Sequence, residues 1–366
     1  MYAFRAFVRH NVVLCAAAAL AALSMLFVPP DREYLGYING RVLTVLFVLM
    51  AAVAGFSGAG LFVRLSGALT RRTTSARTLG LGLVLLCFFL SMLITNDVAL
   101  ITFVPFTLGL FGRERRVVPV LVMETVGANL GSLLTPIGNP QNLYLYSYYA
   151  LTAGDFFRAV LPLGLLCLAL VTGLTLLLVR GGAVPAARAN DTLSATPFAL
   201  LRYSLLFALG LLTVMRTLDW RICLGVSALL LLVFDRPLFR CVDWSLLASF
   251  VCFFVLVGNL ARIEAVRGLI ESLLLGREYR TAALLSQVIS NVPAATMLSG
   301  FTTDWRALLL GVNVGGLGTP IASMASLITL RFYSSAPAPG GRYLAVFSAV
   351  NFALLALLLA LEPLLL

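Results

Sequence analysis

Along most of its length the chain alternates long apolar runs with short polar or arginine-bearing connections. A membrane-crossing helix needs ~20 apolar residues. Runs of that kind cover 11–29, 40–66, 117–149, 156–179, 201–217, 220–236, 244–262, 306–332 and 342–364. Two further apolar segments, 79–112 and 281–303, do not fit as single spans. The first is too long for one helix, carries Thr95-Asn96-Asp97 at its centre, and has no loop long enough to make two full helices. Arg71, Arg72 and Arg77 precede it; Arg113, Arg115 and Arg116 follow it. Arginine-rich connections stay in the cytoplasm, so both ends of this segment lie on one side. It must enter and return, as a re-entrant helical hairpin with Asn96 at its tip. Non-helical backbone at such depth survives only where it is buried in protein or lines a wet cavity. The same charge rule places the N-terminus (Arg5, Arg9) and the polar stretch 181–200 in the cytoplasm.

Two of the spans are interrupted. Residues 127–143 read GANLGSLLTPIGNPQNL and residues 311–327 read GVNVGGLGTPIASMASL. They align without a gap: Asn129 matches Asn313, Gly131 matches Gly315, and Thr135-Pro136-Ile137 matches Thr319-Pro320-Ile321. Further on, Asn139 matches Ser323 and Asn142 matches Ser326. A hydroxyl-Asn pair precedes each, in LITNDVA (93–99) and in VISNVPA (288–294). Five crossings separate the two broken helices, so the repeats face opposite ways, the arrangement behind alternating access. The predicted fold is therefore an all-α polytopic membrane protein of two inverted-topology repeats. The first occupies 1–180, with hairpin 79–112 and broken helix 117–149. A cytoplasmic linker spans 181–200. The second repeat occupies 201–366, with hairpin 281–303 and broken helix 306–332. Amphipathic stretches at 61–79 and 261–276 are expected to lie at the interface ahead of each hairpin.

Composition agrees with a membrane setting and excludes several functions. The 366 residues are 61% hydrophobic and 11% charged, with a mean hydropathy of +1.01. The first run, Val12–Pro29, is expected to be a retained helix and not a signal peptide. The formal charge is +11, yet all 26 basic residues are arginines that punctuate apolar runs. That pattern orients a membrane protein and does not build a nucleic-acid surface. The absence of lysine excludes Schiff-base and Ser-Lys chemistry. His10 is the single histidine, so no His-based metal cluster forms. The six cysteines are scattered without a CxxC and are expected to be reduced. An intramembrane enzyme would need a Ser-Lys pair, two aspartates or an HExxH helix, whereas the chain has no lysine, one histidine near its start and one clear mid-membrane aspartate, Asp97. No enzyme activity and no organic cofactor are expected.

The interrupted segments carry the chemistry. Pro136 and Pro140 each remove an intrahelical N–H, and Gly138 permits a sharp backbone path. The freed carbonyls need partners, which a bound cation supplies. The helix restarting after the break presents bare N–H groups and a positive dipole end, which suits an anion. On this reading Thr95, Asn96, Asn139, Gln141 and Asn142 of the first half and Ser290, Asn291, Thr319, Ser323 and Ser326 of the second bind substrate. Asp97, with Asn96, Thr135, Gly138 and Asn129, binds the coupling ion, Na⁺ or H⁺. An acid inside a membrane is functional by default, and the repeat mate of Asp97 is Val292, so the acid occurs once. Glu124 lies two turns into 117–149, on the face of Ala128 and Gly131. There it lines the cytoplasmic route or pairs with an arginine such as Arg116. Gly55, Gly58 and Gly60 are read as packing positions.

At these residues the chain resembles the ion-transporter superfamily of arsenite permeases, citrate transporters and divalent-anion/sodium symporters, and most closely its short bacterial permeases. The resemblance runs through 40–335. It implies scaffold and transport domains, a site at the hairpin tips, elevator-like motion and often a homodimer. The dicarboxylate branch carries Ser-Asn-Thr at both tips, whereas here they read Thr95-Asn96-Asp97 and Ser290-Asn291-Val292. The Asn-Asp pair is more similar to the arsenite-permease and sodium/proton-antiporter side. The expected function is secondary active transport of a small anion or oxyanion across a bacterial inner membrane. A sodium/proton antiporter without organic substrate is the alternative, and a channel is the third reading.

Overall fold

The computed structural model describes residues 11–73, 75–111, 117–182, 196–334 and 342–366, and among them the chain is all-helical. Arg5, Arg9, His10, Arg113, Arg115, Arg116 and most of the linker, 183–195, lie outside the described residues. The helices are α1 (Val12–Ser24), α2 (Gly40–Gly58), α3 (Leu61–Arg72), α4 (Ala76–Ile94), α5 (Asn96–Phe111) and α6 (Val117–Ser132). They continue as α7 (Pro140–Tyr148), α8 (Ala153–Leu178), α9 (Pro197–Val214), α10 (Trp220–Phe234), α11 (Trp244–Arg262) and α12 (Glu264–Leu274). The last five are α13 (Glu278–Ile289), α14 (Asn291–Ser299), α15 (Trp305–Val314), α16 (Met324–Ser334) and α17 (Arg342–Ala360).

Six of these helices, α2, α4, α8, α9, α11 and α17, are long and apolar enough to cross a membrane. Their outward faces carry large bare side chains such as Leu177, Leu201, Phe198 and Phe89. An apolar surface of that extent suits lipid and not water. The chain is a polytopic membrane protein. Several helices begin on a polar cap that satisfies a first-turn N–H: Asn39 accepts from the Val42 amide, Asp243 from Leu246 and Asp304 from Ala307.

The boundaries differ from the sequence expectation where polar residues re-partition the apolar runs. The run 40–66 ends at Gly58; Gly60 turns the chain at φ 74°. Gly60 is thus a turn and not a packing position, while Gly55 does pack, against the Tyr203 ring. The interfacial arms shorten to α3 and α12. The runs 117–149 and 306–332 are each two helices, α6–α7 and α15–α16. The second hairpin starts at Glu278, not 281.

The hairpin 79–112 is present, but its first limb is longer than expected. α4 has 19 residues, and no loop is needed to reverse it: the single residue Thr95 turns the chain at φ 70° and ψ 152°. α4 runs parallel to α6, from Gly80 against Val120 to Met92 bonded to Thr135. α5 then returns beside α6, with Asn96 bonded to Asn129 and Thr107 to Glu124. α8 runs back along the same helices, placing Gly164 on Leu134 and Val171 on Gly127. α8 has 26 residues and is therefore about 39 Å long. Gly164 lies near its middle, so the break after α6 and the tip of the hairpin sit at mid-depth.

α6 is the central helix. All of its residues but Pro119 are buried, consistent with a helix apolar around its whole circumference. The two sequence halves interleave around it. α2 packs on α9 and α10, and α1 on α11; α16 packs on α5 and α6, and α14 on α7.

Candidate functional site

Both hairpin tips are built on the same unusual backbone. Thr95 has φ 70° and ψ 152°, and Ser290 has φ 75° and ψ 154°. This region belongs almost exclusively to glycine and costs on the order of 1–3 kcal/mol for other residues. Such conformations persist where the surroundings over-determine them, which is typical of ligand sites.

The surroundings are the two helix breaks, whose contacts to the tips correspond closely, though the donor at one of them differs. Thr135 donates to the Met92 carbonyl at 2.5 Å, and its mate Thr319 donates to the Gln287 carbonyl at 3.0 Å. The Gly138 carbonyl accepts from the Asn96 amide at 3.2 Å; its mate, the Ala322 carbonyl, accepts from the Ser290 hydroxyl at 3.3 Å. Gly131 sits over the backbone of Phe88 and Gly315 over that of Ala283, where a β-carbon has no room. Gly138 is required for a similar reason, its absent β-carbon falling on the Ser132 carbonyl, and not for a left-handed turn.

The two breaks are also locked to each other by a crossed amide clamp. Asn139 donates to Asn313 at 3.0 Å, and Asn313 donates to Asn142 at 2.7 Å. In the mirrored position Ser323 donates to Asn129 at 2.9 Å, and Asn129 reaches Ser326 at 3.4 Å. Thr125 donates to Thr329 at 2.8 Å, so α6 and α16 run antiparallel away from the clamp. Asn142 does more: its amide donates to the Ser132, Leu133 and Thr135 carbonyls at 3.3, 3.1 and 3.0 Å. The Ser132 carbonyl freed by Pro136 and the Leu133 and Thr135 carbonyls left open where α6 stops are thus served by a side chain.

Between the two tips lies a small cavity of about 30 Å³. Its polar lining is Asn96, Asp97, Gln141, Ser290, Asn291 and Ser323 from the tips and breaks, with Ser249 the one polar residue contributed by the otherwise apolar face of α11. The first residues of four helices, Asn96 of α5, Pro140 of α7, Asn291 of α14 and Met324 of α16, all face it. Four positive dipole ends converge on one space. One oxygen each of Asn96 and Asp97 is buried without a hydrogen-bond partner. The opposite wall is otherwise apolar and comes from α1 and α11: Val13, Leu246, Phe250 and Phe253.

A vestibule adjoins the cavity across Val13, Leu246, Ser249 and Met324 and is lined further on by Asn11, Asp243 and Arg331. On the other side, Phe250 packs with Tyr144 and Phe254 at ring separations of 6.1 and 5.9 Å. Tyr144 and Phe254 face a second, wider vestibule with Arg41, Arg216 and Trp220. The three rings stand between the cavity and that vestibule.

Of the residues read from sequence, Asn96, Asp97, Gln141, Ser290, Asn291 and Ser323 meet at the cavity. Thr95 forms the turn behind it. Asn129, Thr135, Gly138, Asn139, Asn142, Thr319 and Ser326 form the frame that joins tips to breaks. The wall from α11 carries no motif, and its apolar period is that of any spanning helix. Glu124 lines neither vestibule; it is fully buried against Thr107.

A polar, helix-end cavity at mid-depth in an apolar helical body defines a membrane transporter. A model of the citrate transporter family matches residues 2–310, and the chain belongs to that family. It is 34% identical over 319 residues to the inner membrane protein YbiR of Escherichia coli, covering 83% of each chain. It is 35% identical over 277 residues to an uncharacterized transporter of Methanocaldococcus jannaschii, covering 73% of this chain and 74% of that one. A shorter match, 31% identical over 151 residues, pairs 40% of this chain with 31% of the silicon efflux transporter of rice.

Proposed function

We propose that this protein is a secondary active transporter of the inner membrane that moves a small anion or oxyanion by alternating access. The N-terminus is cytoplasmic, and α4–α7 and α13–α16 act as inverted repeats. The single observation that carries the reading is the convergence of four helix N-termini on a cavity holding an unpaired Asp97 carboxylate oxygen. The dipole ends favour an anion, while the acid favours a cation. A site with both preferences loads the two together, which is the requirement for coupling. Asn96, Gln141, Ser290, Asn291 and Ser323 contact the substrate, and Asp97 holds Na⁺ or H⁺. The crossed clamp keeps both breaks at one depth as the tip region moves past the apolar wall of α11. The family name and the rice relative point to oxygen-rich solutes, from carboxylates to small oxyacids.

The test is a thermal-shift screen of the purified protein against carboxylates, arsenite, silicic acid, sulfate and phosphate, with and without Na⁺ and across pH. A stabilising oxyanion whose effect grows with Na⁺ or acid, and vanishes in Asp97→Asn, is the expected result. A second reading, sodium/proton antiport, is favoured by one feature: among the described residues no arginine lines the cavity. Cation-dependent proton flux in proteoliposomes, with no oxyanion present and none that stabilises, would overturn anion transport in its favour.

A further inference from the structure

Glu124 is the one acid that the proposed transport cycle leaves unused. It sits on α6, more than a helical turn from the clamp residue Asn129, and is completely buried. One carboxyl oxygen accepts from the Thr107 hydroxyl of α5 at 2.5 Å; the other is buried without a partner. Around it stand Cys87 of α4 and Tyr343 of α17, whose hydroxyl lies beside Thr125 and Thr329 and is itself buried without a partner. The remaining walls are apolar: Leu121, Val120, Phe103, Val104 and Phe347 are all buried in the same cluster.

Charged groups on the packed helices point elsewhere. Arg77 of α4 is bonded to the Val179 carbonyl, and Arg331 of α16 lines the vestibule with Asp243. Arg342, next to Tyr343, is exposed. Asp155 and Arg158 of α8 and Arg306 of α15 lie at the far ends of those helices, and Asp97 of α5 faces the cavity. Among the described residues a carboxylate in this place has one hydroxyl donor and no counter-charge beside it, an arrangement that costs several kcal/mol. A carboxylic acid fits it, with its O–H able to serve the hydroxyl cluster.

We propose that Glu124 is a proton-binding site separate from the substrate cavity. It is loaded in the arrangement described and unloads only when α5, α6 and α17 part enough to admit water. Binding is the addition of one proton to the carboxylate and release is its loss to that water, with no other bond changed. The position suits such a role, because α5 carries Asn96 and Asp97 at its start and Thr107 in its body. The neighbouring Thr125 and Asn129 also join α6 to α16. Protonation of Glu124 thus bears on the packing of the first hairpin against both broken helices, independently of what the cavity binds.

The test uses the full chain in detergent, with protons as the only ligand. Infrared spectra at neutral pH are expected to show a protonated-carboxyl band that is lost in Glu124→Gln, retained in Asp97→Asn, and shifted in Thr107→Val. Proton release on unfolding is expected to fall by one per chain in Glu124→Gln. An unchanged band in Glu124→Gln, or a response of that band to Na⁺ at fixed pH, overturns the proposal. Should Glu124→Gln fail to fold, the Thr107→Val shift decides: no shift refutes it. Because Asp97→Asn is scored separately, loss of Asp97 coupling and loss of the Glu124 site remain distinguishable.

Discussion

Asn142 separates the frame from the cavity more sharply than any other residue. In Asn142→Ala three carbonyls of the break lose their donor, and the Asn313 amide loses its acceptor while keeping the Leu309 carbonyl at 2.8 Å. The Thr135 carbonyl keeps a second donor, the Gly138 amide at 3.3 Å, so two buried carbonyls, those of Ser132 and Leu133, are left unsatisfied. At ~1–3 kcal/mol for each buried group without a partner, the cost is about 2–6 kcal/mol. Total stabilities are about 5–15 kcal/mol, so the variant is severely weakened. For a chain of this size the melting temperature falls on the order of 3–8 °C. Unfolding in detergent, followed by intrinsic fluorescence, reads this directly. Gln141→Ala is the control: its side chain faces the cavity, and its melting temperature is expected to stay within about 2 °C of the parent, a shift below one kcal/mol. If Asn142→Ala melts with the parent and loses only ligand-induced stabilisation, the assignment of Asn142 to the frame is wrong.

Three further outcomes follow from the geometry. Thr95→Gly relieves a backbone conformation costing on the order of 1–3 kcal/mol and gives back about 0.5–1 kcal/mol of chain entropy, so the melting temperature holds or rises; a clear fall would show that the Thr95 side chain is needed. Phe250→Ala removes the ring that packs on both Tyr144 and Phe254 and is expected to expose a Ser323→Cys thiol to reagents entering the wider vestibule; equal labelling with and without the ring would exclude it as a barrier. On the surface, Arg262 lies 2.8 Å from Asp31, and its hydrogen bond lowers the Asp31 carboxyl from the ordinary 3.8. That contribution is full above the unfolded value and fades as pH falls through the folded one. Arg262→Gln should therefore lower stability slightly above about pH 4 and converge on the parent curve as pH falls below it, which flattens the acid limb.

The sequence made the site's location legible because asparagine, proline and glycine stand out against apolar helix. Asn96, Asn291 and both Thr-Pro pairs announced tips and breaks, and their spacing announced that the two sets correspond. It could not tell cavity from frame. Asn142 and Gln141 are adjacent polar residues in one motif, yet one amide turns back onto three carbonyls and the other faces open space. That choice depends on where α6 stops and how close α15 comes, which are tertiary facts. The apolar wall from α11 was invisible for the opposite reason, since Phe250 in an apolar helix carries no signal. Glu124 was misplaced because two turns of helix from a charged flank reads as near-surface, whereas α5 and α17 close over it. α4 starts three residues earlier than expected, at Ala76 and not 79, because the polar Arg77-Thr78 reads as a connection and not as helix.

The crossed clamp has a consequence for biosynthesis. Asn139 and Asn142 find their partner in Asn313, and Asn129 finds its own in Ser323 and Ser326, so neither half contains its own closure. When the ribosome has delivered α1 to α8, three buried amides of the nascent chain still wait for residues more than 170 positions downstream. The first break cannot reach its final form during insertion and must be held, by water or by the insertion machinery, until α15 and α16 arrive. Maturation of the two breaks is thereby a single late event, and a chain truncated before Asn313 enters the membrane without ever completing its centre.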